Sequence, residues 1–211
     1  MKRLIFSVIL LLIFSASARA ADWSDAAKKA EQAVVWLQVG AEGGCTAFVI
    51  NQEKHYLLTA SHCKPEGEHG ELWADRVQAT IISLDTKADL MVLEVKNLDP
   101  SRTALKLADS NPVIGQEVMS IGFGFALERP FFRQAHIQDD KMALSGVDGG
   151  PFVSTDSPFV GGQSGGPVIN IAGQVVLIVQ RGDGGTTGLG VGAEKIRERV
   201  GRFFAAPEKK P

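Results

Sequence analysis

From residue 34 onward the chain is a succession of short apolar runs separated by glycine, proline, asparagine and aspartate. Runs of this length bounded by turn formers read as strands rather than helices. Val34 to Val39 is the first, with Glu42-Gly43-Gly44 as its turn; Cys45 to Asn51 and Tyr56 to Ala60 follow, and Pro65 to Gly70 is a polar loop. Val77 to Leu84 and Leu90 to Val95 are further strands, turned by Asp85-Thr86-Lys87-Ala88-Asp89. The polar, proline-bearing stretch Asn97 to Thr103 suits a connector between two lobes. Beyond it come Glu117 to Gly122, Gln134 to Ile137, Lys141 to Leu144, Val168 to Ile171, Gln174 to Gln180 and Gly188 to Gly192. Two segments carry helical periodicity. One is Asp25 to Ala33, with Ser24 as its cap and Asp25 in its first turn. The other is Ala193 to Phe204, with Ile196, Val200, Phe203 and Phe204 on one face, followed by a charged, flexible tail over Ala205 to Pro211.

The first 20 residues break this pattern. Lys2 and Arg3 precede the apolar run Leu4 to Phe14, and Ser15-Ala16-Ser17-Ala18-Arg19-Ala20 ends it with small residues. That order describes a secretory signal peptide cleaved after Ala20. The run is well short of the ~20 residues of a membrane span, so no stable membrane insertion is expected after cleavage. The mature chain is read as exported, periplasmic or secreted. Without Lys2, Arg3 and Arg19 the remainder holds 19 basic against 24 acidic residues, a net charge of −5, which argues against a nucleic-acid partner. Twenty-three glycines fit a turn-rich, mainly β domain. Cys45 and Cys63 are the two cysteines, and in an exported chain the pair reads as a disulfide. His55, His62 and His69 raise a zinc site as the competing idea, but no paired spacing such as C-x-x-C accompanies them, and no metal is expected.

The chemistry concentrates in three segments. Gly161-Gly162-Gln163-Ser164-Gly165-Gly166-Pro167 places a serine on a turn that no neighbouring side chain blocks. There the main-chain N–H groups of Gly162 and Ser164 can converge on one developing oxyanion. Thr59-Ala60-Ser61-His62-Cys63 puts a histidine at the end of an apolar run, and Asp89 opens the strand that ends at Val95. Each residue alone has an ordinary reading as a turn or strand end. In the order His, Asp, Ser they match one of the unrelated triad families.

These segments together resemble the chymotrypsin-fold serine proteases, most closely the bacterial HtrA/Deg branch. Leu107-Ala108-Asp109-Ser110, Ile114-Gly115-Gln116-Glu117-Val118, Ile121-Gly122, Thr155-Asp156-Ser157, Gly173-Gln174-Val175-Val176 and Gly188-Leu189-Gly190-Val191-Gly192 extend the likeness over nearly all of the mature chain. The resemblance implies an all-β fold of two six-stranded antiparallel β-barrels, about 34–99 and 104–192, with a short N-terminal helix and a C-terminal helix. It implies a serine endopeptidase without cofactor, acting on protein or peptide substrates, with Ser164 as nucleophile, His62 as base, Asp89 as its orienting partner, and Gly162 and Ser164 as the oxyanion hole. It places the specificity pocket at Pro158, Phe159, Val179 and Arg181. Pro158 stands where trypsin relatives carry an aspartate, so a shallow apolar pocket is expected, with Arg181 either turned inward or solvated at the rim. Branch relatives are often trimers, which leaves a homo-oligomer as an expectation.

Three features depart from the branch. The cysteine pair around the histidine belongs more to secreted trypsin-like enzymes. Only seven residues follow the final helix, so no PDZ domain is expected. Gln163 replaces the aspartate that receives the new N-terminus in zymogen-activated relatives, so the oxyanion turn must be organised by other means. That last departure motivates an alternative reading, a protease-fold binding protein or a tightly gated protease with little general turnover.

Overall fold

The computed structural model describes residues 22–41, 43–66, 70–144, 147 and 150–205. The leader reading falls on residues 1–20 and the tail on 205–211; apart from Ala205 both lie outside the described residues, as does His69. Helix α1 (Ser24–Ala33) leads directly into β1 (Val34–Val39). Ser24 is not the cap: it is the first helical residue, and the Asp22 carboxylate accepts both its N–H (2.9 Å) and its hydroxyl (2.6 Å). A stripe of buried alanines, Ala26, Ala30 and Ala33, lets α1 lie close against the body of the protein.

The N-terminal lobe is built from β1, β2 (Gly43–Asn51), β3 (Tyr56–Thr59), β4 (Leu72–Ala74), β5 (Val77–Gln78), β6 (Thr80–Asp85) and β7 (Leu90–Glu94). They form one antiparallel sheet in the order β5-β4-β1-β2-β3-β7-β6. Seven strands stand where six were expected, and their hydrogen-bond ladder curls without closing. The extra strand arises because Val77 to Leu84 splits at Ala79, whose N–H turns to the Leu72 carbonyl. The short β4–β5 hairpin was not read from sequence; its two-residue loop holds Asp75 and Arg76 at φ 46° and 69°, the left-handed pair that tight hairpins require.

The C-terminal lobe comprises β8 (Glu117–Gly122), β9 (Phe131–Met142), β10 (Phe152–Thr155), β11 (Pro167–Ile169), β12 (Val175–Gly182) and β13 (Gly188–Gly192). These close into a six-stranded barrel. The two strands expected over Gln134 to Leu144 are one. Its first half pairs with β8 and its second half with β10, so the polar Gln138-Asp139-Asp140 stretch stays in the ladder instead of turning. Strand β10 escaped notice because Ser154 and Thr155, both fully buried, interrupt its apolar signal. Helix α2 (Ala193–Val200) is shorter than expected, the chain tightening into a 3₁₀ turn over Gly201–Phe203.

The unbroken apolar runs of β2 and β7 have a common cause. Phe48, Ile50, Leu90 and Val92 point into a core between the lobes that also takes Ile121, Ile169, Ile178, Val191, Ile196 and Val200. Ala47, Val49, Met91 and Leu93 point the other way, into the interior of the N-terminal lobe. A strand with apolar surroundings on both faces loses the polar half of its alternation. The shared core fixes the two lobes against each other, and the segments carrying His62, Asp89 and Ser164 meet across that junction.

Candidate active site

His62 lies in a 3₁₀ turn over Ser61–Cys63, immediately after β3. Asp89 is the last residue before β7 and is held at φ 55°, a conformation that aspartate tolerates better than most residues. It grips His62 at two points: Oδ2 lies 2.8 Å from the ring Nδ1, and Oδ1 accepts the His62 main-chain N–H at 2.8 Å. Oδ1 also accepts the Ser61 hydroxyl at 2.9 Å. Burial by itself pushes the Asp89 carboxyl up, but the ring and main-chain hydrogen bonds from His62, its charge, and the Ser61 hydroxyl together outweigh it and hold the group below the usual carboxylate range. The carboxylate is nearly buried whereas the His62 side chain is 45% exposed, so the ring presents its free edge outward.

The Ser164 turn is fixed peptide by peptide. Phe125 N–H holds the Gly161 carbonyl (2.9 Å), Gln163 N–H bonds Val160 (3.1 Å), and Gly166 N–H bonds Gln163 (2.8 Å). Thr46 N–H holds the Ser164 carbonyl at 2.8 Å, and Gly165 N–H bonds Val179 at 2.8 Å. Among the hydrogen bonds of the described residues, the N–H groups of Gly162 and Ser164 are left without a protein partner. Glycine is needed at two places here. Gly162 sits at φ +93°, where a Cβ would overlap the Phe123 carbonyl, and at Gly165 (φ +81°) a Cβ would overlap Thr59 Oγ1. Gln163, fully buried, lends its Oε1 to Val160 N–H at 3.0 Å, while its Nε2 has no partner.

Ser164 Oγ donates to the Gln180 carbonyl at 3.4 Å, and no hydrogen bond joins it to His62. The three segments are nonetheless tied together. Gln180 Nε2 reaches the Ala88 carbonyl at 3.4 Å, next to Asp89. Cys63 Sγ, in the residue after His62, approaches the Ser164 carbonyl to 3.8 Å. Cys45 and Cys63 are joined as a disulfide, which anchors the His62 turn to β2.

Of the residues assigned to the specificity pocket, Phe159 and Val179 are buried, and Pro158 is half-buried with its carbonyl held by Arg133 at 2.9 Å. The Phe159 ring lies against Gly188, where a Cβ would stand 2.9 Å from its Cδ2. Arg181 is exposed, its guanidinium 5.9 Å from the centroid of the Phe152 ring. His136 makes a second pair of the same form, its N–H bonding Asp156 Oδ1 at 2.6 Å and its Nδ1 lying 3.1 Å from Oδ2, but its Nε2 faces a second carboxylate, Glu117 Oε1, at 4.0 Å. A histidine–carboxylate pair thus acquires meaning only from what stands beside it.

Thr46, Phe125 and Gln180 were not read from the sequence as site residues. Their contributions to the turn run through main-chain groups or through partners far along the chain, for which a single sequence carries no local signal.

A family model described as trypsin-like peptidase domain matches residues 45–178. Among curated proteins, the chain is 31% identical over 137 residues to a probable periplasmic serine endoprotease, DegP-like, of Pseudomonas fluorescens, covering 63% of this chain and 28% of that protein. It is 24% identical over 152 residues to the periplasmic serine endoprotease DegP of Escherichia coli, covering 69% and 32%. The chain thus spans about a third of the length of these relatives. Among solved structures, the active form of the Rv3671c protease of Mycobacterium tuberculosis superposes with a TM-score of 0.72 at 24% identity, covering 88% of this chain and 86% of that one. The HtrA-type protease AlgW with tripeptide gives 0.70 at 20% identity, covering 85% and 63%. Both likenesses show the fold.

Proposed function

Because this chain belongs to the family of trypsin-like peptidase domains, we propose that it is an exported serine endopeptidase with His62, Asp89 and Ser164 as its triad. The observation that carries the reading is the Ser164 turn, in which the neighbouring peptide groups are bonded while the N–H groups of Gly162 and Ser164 have no protein partner among the described residues. Two such donors beside a serine hydroxyl suit a developing oxyanion.

In this reading a substrate carbonyl seats its oxygen between those two donors. Ser164 Oγ leaves the Gln180 carbonyl by rotation about χ1 and attacks the carbonyl carbon while His62 takes its proton. The C–O bond forms as the carbonyl π pair becomes the oxyanion. Collapse breaks the C–N bond, and His62 returns the proton to the departing amine. Water, deprotonated by His62, then attacks the acyl-enzyme, releasing the carboxylic acid and restoring Ser164. Asp89 holds the ring tautomer and stabilises the imidazolium.

The Phe159 ring against Gly188 and the buried Val179 support a shallow apolar pocket that takes small or medium aliphatic side chains. The exposure of Arg181 favours a rim role over an anion-holding one. The Cys45–Cys63 disulfide suits an oxidising compartment, and together with the leader-like sequence pattern of residues 1–20 it supports export. The Ser164–Gln180 bond favours, as a second reading, a gated protein with little turnover. Labelling with an active-site serine phosphonate separates the two: covalent modification at Ser164 of the oxidised, mature protein supports the peptidase, and no modification supports the gated or binding-only reading.

A further inference from the structure

Thr46 stands in the middle of the strand that carries Cys45 and is fully buried. A buried hydroxyl must find partners, and this one finds two. Phe123 N–H donates to Thr46 Oγ1 at 2.9 Å, which occupies an oxygen lone pair and leaves the hydroxyl proton to be given elsewhere. It is given to the Gly162 carbonyl at 2.8 Å. The main-chain N–H of the same residue holds the Ser164 carbonyl, also at 2.8 Å. One residue of the N-terminal lobe therefore grips the carbonyl of each of the two residues whose N–H groups stand free. Its own carbonyl accepts the Thr59 hydroxyl at 2.9 Å, which ties the grip to the end of β3, three residues before His62.

We infer that Thr46 is a positioning residue for the oxyanion hole. Its hydroxyl sets the plane of the Gly162–Gln163 peptide and so keeps the turn formed without the buried ammonium–carboxylate pair that Gln163 cannot make. Gly162, at φ +93°, has the freedom of a glycine to rotate its peptides. Among the described residues, the hydrogen bonding of the Gln163 side chain reaches only to Val160 N–H, three positions away. The hydroxyl of Thr46 crosses between lobes, and through Phe123 it also fastens the segment whose Phe125 N–H holds the Gly161 carbonyl. Serine at this position keeps the function; valine, of nearly the same shape, removes it.

The catalytic consequence rests on the proposed function, and the experiment separates the two. Wild type, Thr46→Val, Thr46→Ser and Thr46→Ala are compared by peptide hydrolysis, by inhibition with a peptide aldehyde whose hemiacetal oxygen occupies the hole, and by amide hydrogen exchange. Alanine adds no methyl opposite Phe123 N–H, so it serves where valine prevents folding. Thr46→Val and Thr46→Ala are expected to lose about 10–100-fold in kcat with KM within about twofold, and to lose aldehyde affinity in parallel, whereas Thr46→Ser stays within a few-fold of wild type. Exchange at the Gln163 and Phe123 amides rises in the hydroxyl-free variants. The inference is overturned if those variants keep wild-type kcat, if serine falls as far as valine, or if aldehyde affinity is unchanged. A wild type without turnover overturns the proposed function; exchange at Gln163 and Phe123 that stays slow without the hydroxyl overturns the clamp on its own.

Discussion

Asp89 meets His62 twice, with Oδ2 at the ring Nδ1 and Oδ1 at the main-chain N–H, both at 2.8 Å. The ring contact fixes which nitrogen carries the proton, and the main-chain contact fixes where the ring stands. An asparagine in its place would keep the left-handed backbone but offers a single acceptor oxygen, so one contact is lost or the amide turns its NH₂ toward the ring. Asp89→Asn is therefore expected to fold and to lose about 10³–10⁴ in kcat, read from steady-state kinetics beside a circular dichroism spectrum. Retained turnover within about tenfold of wild type would place the base elsewhere.

The same carboxylate makes stability depend on pH. Its folded pKa lies below its ordinary value, because the hydrogen bonds and charge of His62 outweigh the opposing effect of burial. A depressed carboxylate contributes fully above its unfolded pKa of about 3.9 and loses that contribution as pH falls through the lower, folded value. Denaturant unfolding of wild type and Asp89→Asn between pH 7 and pH 3 should show a constant gap down to about pH 5 and a closing gap below about pH 4. A gap that persists unchanged at pH 3 contradicts the assignment.

The Cys45–Cys63 bridge closes a loop of 18 positions. Removing it from the unfolded state's constraints costs about 3 kcal/mol in the chain-entropy model, or a Tm lower by roughly 6–12 °C for a domain of this size. Paired Cys45→Ala and Cys63→Ala substitutions, or mild reduction, should show that loss by calorimetry. Because the bridge also anchors the His62 turn, turnover should fall further than the melting curve alone explains.

In the proposed reading Phe159 limits the specificity pocket, since its ring lies against Gly188. Phe159→Ala should open space there and shift preference from small aliphatic toward bulkier residues on the acyl side of the cleaved bond, by about 10-fold or more in relative kcat/KM. Cleavage-site mapping on a peptide library reads this directly, and an unchanged preference removes Phe159 from the pocket.

Much of this arrangement was legible in the chain itself. Val34 to Val39, Glu117 to Gly122 and Gly188 to Gly192 match β1, β8 and β13 because a glycine-bearing turn adjoins each on one side at least. The His62–Asp89 pairing and the disulfide could be anticipated because residue order and type suffice for them. Strand β10 and the unity of β9 could not, since buried Ser154 and Thr155 look polar and an exposed ladder segment looks like a loop. Thr46 escaped for a related reason. Its partners Phe123 and Gly162 lie 77 and 116 positions away, and only the fold of the two lobes brings them to one hydroxyl.

In the proposed function Ser164 is the nucleophile of a peptidase. Hydrolysis of casein and of short peptides by the oxidised protein, from residue 21 onward, should be compared directly with Ser164→Ala. Wild type is expected to cleave and the variant to lose nearly all turnover, a fall on the order of 10⁵–10⁶, with the melting temperature little changed. Equal cleavage by both proteins, or none by either, would contradict it.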